Sequence, residues 1–425
     1  MAATKTDIWV YAHWKGMEAP KCIGVISAQQ SKGSRIFGFE YDKDWLKSDQ
    51  VFLLDPEIGL YGGTQYPDKK DNFGVFMDSM PDTWGRKLML RRAAQTALSN
   101  GSQTSKLYEI DFLLGVHDVS RMGALRFKLD PNGSFLDDNK DNPTPLITHL
   151  RELQASVKIY EEDEEGENGD QWIPVLFAPG SSLGGARPKA NVIDLEGHLC
   201  IAKFPSKADT TDKAAWEYLA YELACKAGIN MPFCALEKVR GPYHTFLSRR
   251  FDREGEQRIH FASAMTMTGN SEDTIRNATP SYLEIAEFIQ TYGSNIQIDL
   301  HQLWRRIVFN MAISNTDDHF RNHGFLLEEK GWRLSPAYDI NPSTDKNGLA
   351  LNVDMDNNAL DFDLAISVGQ FFQLKDSQMH QIIKEVVSVV NDWRPLASKL
   401  GIPRAEQEMM SPAFKLVPDK PGRMN

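Results

Sequence analysis

Asn315-Thr316-Asp317-Asp318-His319-Phe320-Arg321-Asn322 places an aspartate five positions before an asparagine, and Tyr338-Asp339-Ile340 adds a second aspartate soon after. Those types at that spacing suit phosphoryl transfer, since the kinase catalytic loop has the form Asp-x-x-x-x-Asn followed by a metal-binding Asp. One carboxylate, Asp317, orients the attacking hydroxyl. An amide and a carboxylate, Asn322 and Asp339, hold Mg²⁺. Asp318 breaks the spacing and reads as a supporting residue. His319 and His323 lie four apart, but Phe320 stands where a zincin helix needs Glu, so both read as structural.

Further upstream, Ser181-Ser182-Leu183-Gly184-Gly185-Ala186-Arg187-Pro188-Lys189 is a Gly-rich turn. It matches neither the Walker A pattern nor G-x-G-x-x-G. Its position, one strand ahead of a strand-borne lysine, is where backbone N–H groups at Gly184 and Gly185 would cradle phosphates. Lys189 adds a point charge, and Ser181 and Ser182 are candidate phosphorylation sites. Lys203, near the end of the strand 198–204, sits as the phosphate-pairing lysine of kinases does. Glu217 on the following helix is its expected ion-pair partner, with Glu222 competing. Arg249-Arg250-Phe251-Asp252-Arg253 follows a strand, where a hinge facing adenine would lie, and Arg250 and Phe251 are its expected nucleotide contacts.

These residues need elements to hold them. Leu300, Leu303, Trp304, Ile307, Val308, Met311 and Ala312 form an apolar helix face that runs directly into Asn315. Strands at 324–327 and 332–334 form a hairpin ahead of Asp339, and helices over 379–390 and 393–400 complete a helical part. Residues 7–66 read as a β-meander with strands near 8–11, 23–26, 37–39 and 51–54. A helix opens at Asp82 or Thr83, and 106–160 is mixed and mostly helical. The acidic run 161–170 reads as a surface loop, and Arg86-Lys87 with Arg91-Arg92 as solvated surface charge. A frayed tail is expected over 417–425.

Composition sets bounds. The chain has 425 residues, 41% of them hydrophobic and 25% charged, with a formal net charge of −11. That charge disfavours broad nucleic-acid binding by this chain alone. No long uninterrupted apolar run predicts a membrane span, and no signal-peptide core is present, so a cytoplasmic protein without membrane association is expected. Four cysteines without C-x-x-C spacing fit a reducing compartment.

Together, Ser182-Leu-Gly-Gly-Ala-Arg-Pro-Lys189, Ile201-Ala-Lys-Phe204, Arg250-Phe-Asp-Arg253, Asn315-Thr-Asp-Asp-His-Phe-Arg-Asn322 and Pro336-Ala-Tyr-Asp-Ile340 resemble the HipA family of bacterial toxin–antitoxin kinases. Gly62-Gly63 and Met80-Pro-Asp82 resemble the same family's N-terminal subdomain. The resemblance implies an α+β, two-lobed protein-kinase-like fold, with a mixed α/β N-lobe, a β-rich N-terminal subdomain and an all-helical C-lobe. The expected division is 1–150 for that subdomain, 151–252 for the nucleotide-binding part and 253–425 for the C-lobe with the catalytic loop.

It also implies an ATP- and Mg²⁺-dependent serine/threonine kinase, with Asp317 as base, Asn322 and Asp339 on Mg²⁺, and Lys203 on the ATP phosphates. Ser182, or its neighbour Ser181, matches the loop serine whose autophosphorylation switches the enzyme off. Expected partners are a helix-turn-helix antitoxin, operator DNA through it, and a protein substrate such as an aminoacyl-tRNA synthetase. The competing readings are a non-catalytic co-repressor acting through the antitoxin, and a small-molecule kinase on a related fold.

Overall fold

A computed structural model describes residues 5–31, 34–48, 52–68, 70–104, 106–136, 144–163, 168–176 and 185–416. The expectations for Ser181, Ser182, Gly184 and the tail 417–425 lie outside the described residues. The chain forms two compact units, Met1–Lys207 with Arg250–Ala262, and Ala208–Arg249 with Ser263–Asn425.

The first unit opens with an antiparallel sheet in the order Ser34–Tyr41, Lys21–Ser31, Lys5–Ala12, Leu125–Lys128. Alternation explains it: Ile8, Val10 and Ala12 are buried while Asp7, Trp9 and Tyr11 are half-exposed, the period-two signature of a sheet with one covered face. The covered face, which includes Phe37, Phe39 and Phe127, shares one core with Phe73 and Phe76. Gly24 is required by close approach, because a Cβ there would stand 2.3 Å from the Glu40 carbonyl oxygen on the next strand.

The strand expected near 51–54 does not form among the described residues 52–54. Phe52 instead meets Trp14 edge-on at 5.1 Å and Leu54 is buried, so these apolar side chains serve packing rather than a ladder.

The helix Thr83–Ser99 starts where expected, with Asp82 as its N-cap accepting from the Gly85 N–H at 2.8 Å. Two of its four basic residues, Arg86 and Arg91, depart from the expected solvated surface, while Lys87 and Arg92 are exposed. Arg86 makes a bidentate pair with Glu109 at 2.7 Å through each nitrogen. Arg91 donates to the carbonyls of Tyr160 and Asp163, at the C-terminal end of the helix Leu150–Glu162, where orphan carbonyls favour a cation. The acidic run is also more ordered than a loop at its ends. Glu161 accepts from the Ser206 hydroxyl at 2.6 Å, and buried Asp163 precedes a second helix, Gly169–Leu176.

His260 closes this unit. It is buried, stacked on Trp14 and edge-on to Phe52, both at 5.9 Å, and burial pulls its imidazole down to about 3. The unfolded chain takes a proton there below about 6.5, whereas the folded chain does so only near 3. The stability that this group contributes is therefore full above pH 6.5 and is lost as the pH falls through that window. Asp55, which burial pushes up to about 6, works in the opposite sense. Comparison with His260→Phe isolates the histidine. The variant's denaturation free energy is expected to gain on the wild type by roughly 1 kcal/mol per pH unit between about pH 6 and 4. Parallel pH profiles for the two proteins would refute this.

In the second unit the helix Lys213–Lys226 covers a hairpin of Cys234–Glu237 and Thr245–Arg249 through Ala214, Cys234 and Phe246. The helix Ile296–Ala312 carries the expected periodic face, with Leu300, Leu303, Trp304, Ile307, Val308, Met311 and Ala312 all buried. Its first turn also positions the next element: Asp299 accepts from Arg333 and from the Leu334 N–H at 2.9 Å, pinning the hairpin Gly324–Glu328/Gly331–Leu334. Helices Tyr282–Tyr292, Asp376–Val390 and Trp393–Lys399 add to a unit that is mainly helical around these two hairpins. No helix among the described residues is long and apolar enough to cross a membrane.

Candidate active site

The helix Ile296–Ala312 ends because Ser314 turns left-handed, at φ 49, and the Asn315 N–H returns to the Asn310 carbonyl at 2.8 Å. The chain then leaves the buried helix as a turn, and Asp317 is exposed while Asn315, Thr316 and Asp318 around it are buried. Asn322 Nδ2–H donates to the Asp317 carbonyl at 3.1 Å, so the two residues of the five-residue spacing face each other across one loop.

Asp318 takes the supporting role that its place in the spacing suggests. Its Oδ2 accepts from the Tyr282 hydroxyl at 2.5 Å, Asn310 Nδ2 at 2.7 Å and His323 Nε2 at 2.8 Å. Bonds to 310 on one side and 323 on the other clamp both ends of the loop. Burial, and then the Asp318 carboxylate, hold the Tyr282 phenol well above its usual range, so it remains a donor. Nearby Arg306 is buried and lowered to about 10 by desolvation, with Asp318 and Asp299 opposing the shift.

Asp339 is brought to the same loop from the other side. The Tyr338 hydroxyl donates to the Arg321 carbonyl at 2.8 Å, setting the neighbours of Asp339 and Asn322 against each other. Asp339 itself is left-handed at φ 57, a conformation that costs a non-glycine residue free energy and that concentrates at functional sites. Its half-buried carboxylate accepts from Asn341 Nδ2 at 3.4 Å. The Asn322 amide oxygen and the Asp339 carboxylate are hard oxygen donors, the set that Mg²⁺ takes.

Of the residues expected at the nucleotide, Gly185, Lys189, Lys203, Arg250 and Phe251 lie in the first unit. Strands Lys189–Ile193 and Leu199–Lys203 pair so that Lys189 and Lys203 stand directly opposite each other. Like charges so placed repel, and Lys189 has its own counter-ion: its Nζ lies 2.6 Å from Asp82 Oδ2 and 3.3 Å from the Gly185 carbonyl, buried to 2% of its side chain. The described structure thus directs the Lys189 ammonium into the protein. Lys203 is half-buried on the facing strand. Glu217 is buried on the helix Lys213–Lys226, while Glu222 pairs with Lys226 at 3.4 Å on the same helix.

Arg250 departs furthest from its expected role as a nucleotide contact. Its guanidinium donates to Asp252, the Ser120 and Arg121 carbonyls and Asn191 Oδ1, between 2.6 and 3.1 Å, and is 4% exposed as a residue. Its side-chain donors are directed into the interior, and its main-chain N–H donates to the Leu199 carbonyl at 2.8 Å. Phe251 is half-buried, tilted against Phe261 at 6.0 Å.

The Arg250-Phe-Asp-Arg253 stretch is therefore a lock. Asp252 Oδ2 accepts from Arg250, Arg253 and the Gly123 N–H. Burial would raise this carboxyl, but the two guanidiniums hold it well below the carboxylate range. Burial pulls Arg253 down to about 9 against the Asp252 charge.

Three functional neighbours escape sequence reasoning: Asp82, Tyr282 and Asn310. Their partners lie 107, 36 and 8 positions away, and only the last of these is local, with Asn310 on the final turn of the helix Ile296–Ala312 reaching Asp318 in the loop that follows it.

The HipA-like C-terminal domain family matches residues 181–393, half of the chain. A candidate kinase of Haemophilus influenzae is 25% identical over 180 residues, 38% of this chain and 52% of the relative. A candidate kinase of Sinorhizobium fredii is 23% identical over 182 residues, 37% of this chain and 41% of the relative. The chain thus spans about half the length, or less, of the curated relatives that it matches. A solved structure, HipA of Shewanella oneidensis MR-1 in complex with HipB and operator DNA, superposes with a TM-score of 0.63 at 17% identity. It covers 96% of this chain and 95% of that one, a likeness of fold along nearly the whole length. With the domain family matched over half of its residues and that α+β fold throughout, the chain belongs to the HipA family.

Proposed function

We propose that this chain is an ATP- and Mg²⁺-dependent protein serine/threonine kinase. The observation that carries the reading is the clamped catalytic loop, with exposed Asp317 bonded through its carbonyl to Asn322 and with Asp339 drawn to the same loop. Asp317 accepts a hydrogen bond from the substrate hydroxyl and takes its proton as the new O–P bond forms and the γ-phosphoryl leaves ADP. Asn322 and Asp339 hold Mg²⁺, which when bound supplies positive charge against the phosphates. Lys203 contacts the α- and β-phosphates, and the Gly-rich turn with Gly185 supplies main-chain donors. Phe251 and the main chain at Arg250 line the adenine side.

In this proposal 1–150 is the N-terminal subdomain, 151–252 the nucleotide-binding part and 253–425 the C-lobe. The work is done in the cytoplasm. Autophosphorylation of Ser182 or Ser181 adds roughly −1.5 to −2 charges beside the phosphates and switches the enzyme off. The Shewanella neighbour was solved with HipB and operator DNA, which favours a DNA-binding antitoxin as partner. The substrate is a protein of the translation machinery, such as an aminoacyl-tRNA synthetase.

Purified chain incubated with [γ-³²P]ATP and cell lysate is expected to label itself and at least one lysate protein. EDTA should abolish labelling and excess Mg²⁺ restore it, and mass spectrometry should find phosphate on Ser181 or Ser182. Absence of any Mg²⁺-dependent label, with antitoxin binding intact, would favour the co-repressor reading. Label found only on a metabolite would favour a small-molecule kinase.

A further inference from the structure

The strut beneath the Gly-rich turn assigns a role to a residue far from it in sequence. Lys189 Nζ lies 2.6 Å from Asp82 Oδ2 and 3.3 Å from the Gly185 carbonyl, so one ammonium joins the N-cap of the helix Thr83–Ser99 to Gly185. The same helix start grips the main chain as well, since Trp84 Nε1–H donates to the Lys189 carbonyl at 2.9 Å. Side-chain exposures of 2% for Lys189 and 6% for Asp82 remove water from the pair. Gly185 is held at φ +99, and a Cβ there would come 3.7 Å from that ammonium, so turn and strut fit each other.

We infer that Asp82 is a positioning residue for Gly185 of the Gly-rich turn: through Lys189 it fixes Gly185 and, with it, the direction in which the Gly185 main chain meets ATP. This rests on the kinase reading above. It also gives the N-terminal subdomain a stake in nucleotide affinity, although it contributes no group to the reaction. A burial-only role for Asp82 predicts loss of stability and nothing more.

Asp82→Asn separates the two. Asparagine caps helices as well as aspartate does, so the helix keeps its N-cap, while Lys189 loses the Asp82 carboxylate charge. Mg-ATP affinity measured by calorimetry is expected to fall roughly tenfold or more, the worth of a charged hydrogen bond. KM for ATP should rise more than kcat falls, and Asp82→Glu should recover part of the loss. Lys189→Met should show a similar defect, and the double variant Asp82→Asn/Lys189→Met should be no worse than Lys189→Met alone. Wild-type affinity in Asp82→Asn, or additive losses in the double variant, would overturn the inference while leaving the kinase reading intact. A wild-type chain that binds no Mg-ATP would overturn both.

Discussion

Asp317→Asn is expected to lower ATP-dependent phosphate transfer by about a hundredfold to ten-thousandfold, the usual contribution of a positioned general base. The fold should not notice. Asp317 is exposed at the tip of its turn, and the loop is held by other groups: the main-chain carbonyl of Asp317 on Asn322, and buried Asp318 on Tyr282, Asn310 and His323. An amide in place of the carboxylate keeps the size and removes the acceptor of the hydroxyl proton. The expected pattern is a collapsed kcat, a KM for ATP within a few-fold of wild type and an unchanged melting temperature. Full transfer by a folded Asp317→Asn protein would end the assignment of Asp317 as base.

Asp252→Ala is expected to give the largest loss of stability, about 3–5 kcal/mol, because it strips a buried carboxylate from charges that cannot follow it to water. Arg250 and Arg253 would remain inside, and the Gly123 N–H would lose its acceptor. Against a typical total of about 5–15 kcal/mol, that is a large share. The contrast is Arg394 with Glu408, paired at 3.2 Å but with side chains 39% and 55% exposed. Its removal should change stability by less than about 1 kcal/mol, because water screens and replaces the partner. Urea midpoints for the two variants test both figures, and similar small shifts in each would contradict the lock at Asp252.

Residues whose partners are near in sequence are legible from the sequence. The apolar stripe from Leu300 to Ala312 predicts its helix because period and burial coincide, and the turn after it follows from the polar run at Asn315. The Asp317–Asn322 contact closes within one loop, and the hairpin ahead of Asp339 needs only its two strands and a two-residue turn. Asp82 as a cap is similarly local.

What the sequence hides is the far end of long side chains. The guanidinium of Arg250 finds the Ser120 carbonyl 130 positions away, and nothing in its neighbours' spacing distinguishes that destination from a nucleotide. Lys189 is the same case, with Asp82 107 positions off. The run from Val51 to Leu54 shows the complementary failure: a β-prone run states that its side chains seek an apolar home, and Phe52 finds that home edge-on to Trp14.

The return of Arg250–Ala262 to a unit otherwise built from Met1–Lys207 sets a schedule for the ribosome. When Lys207 is made, the loop from Asp118 to Gly123 has neither Asp252 nor Arg258 to bind, and the Trp14 ring has no His260 to lie on. At about 5–20 residues per second, translation reaches the end of that segment roughly 3–10 seconds later. Through that interval the nascent chain carries an unfinished unit, with the Asp118 to Gly123 loop and the Trp14 ring still lacking these contacts. A pause placed within 208–249 would lengthen that exposure.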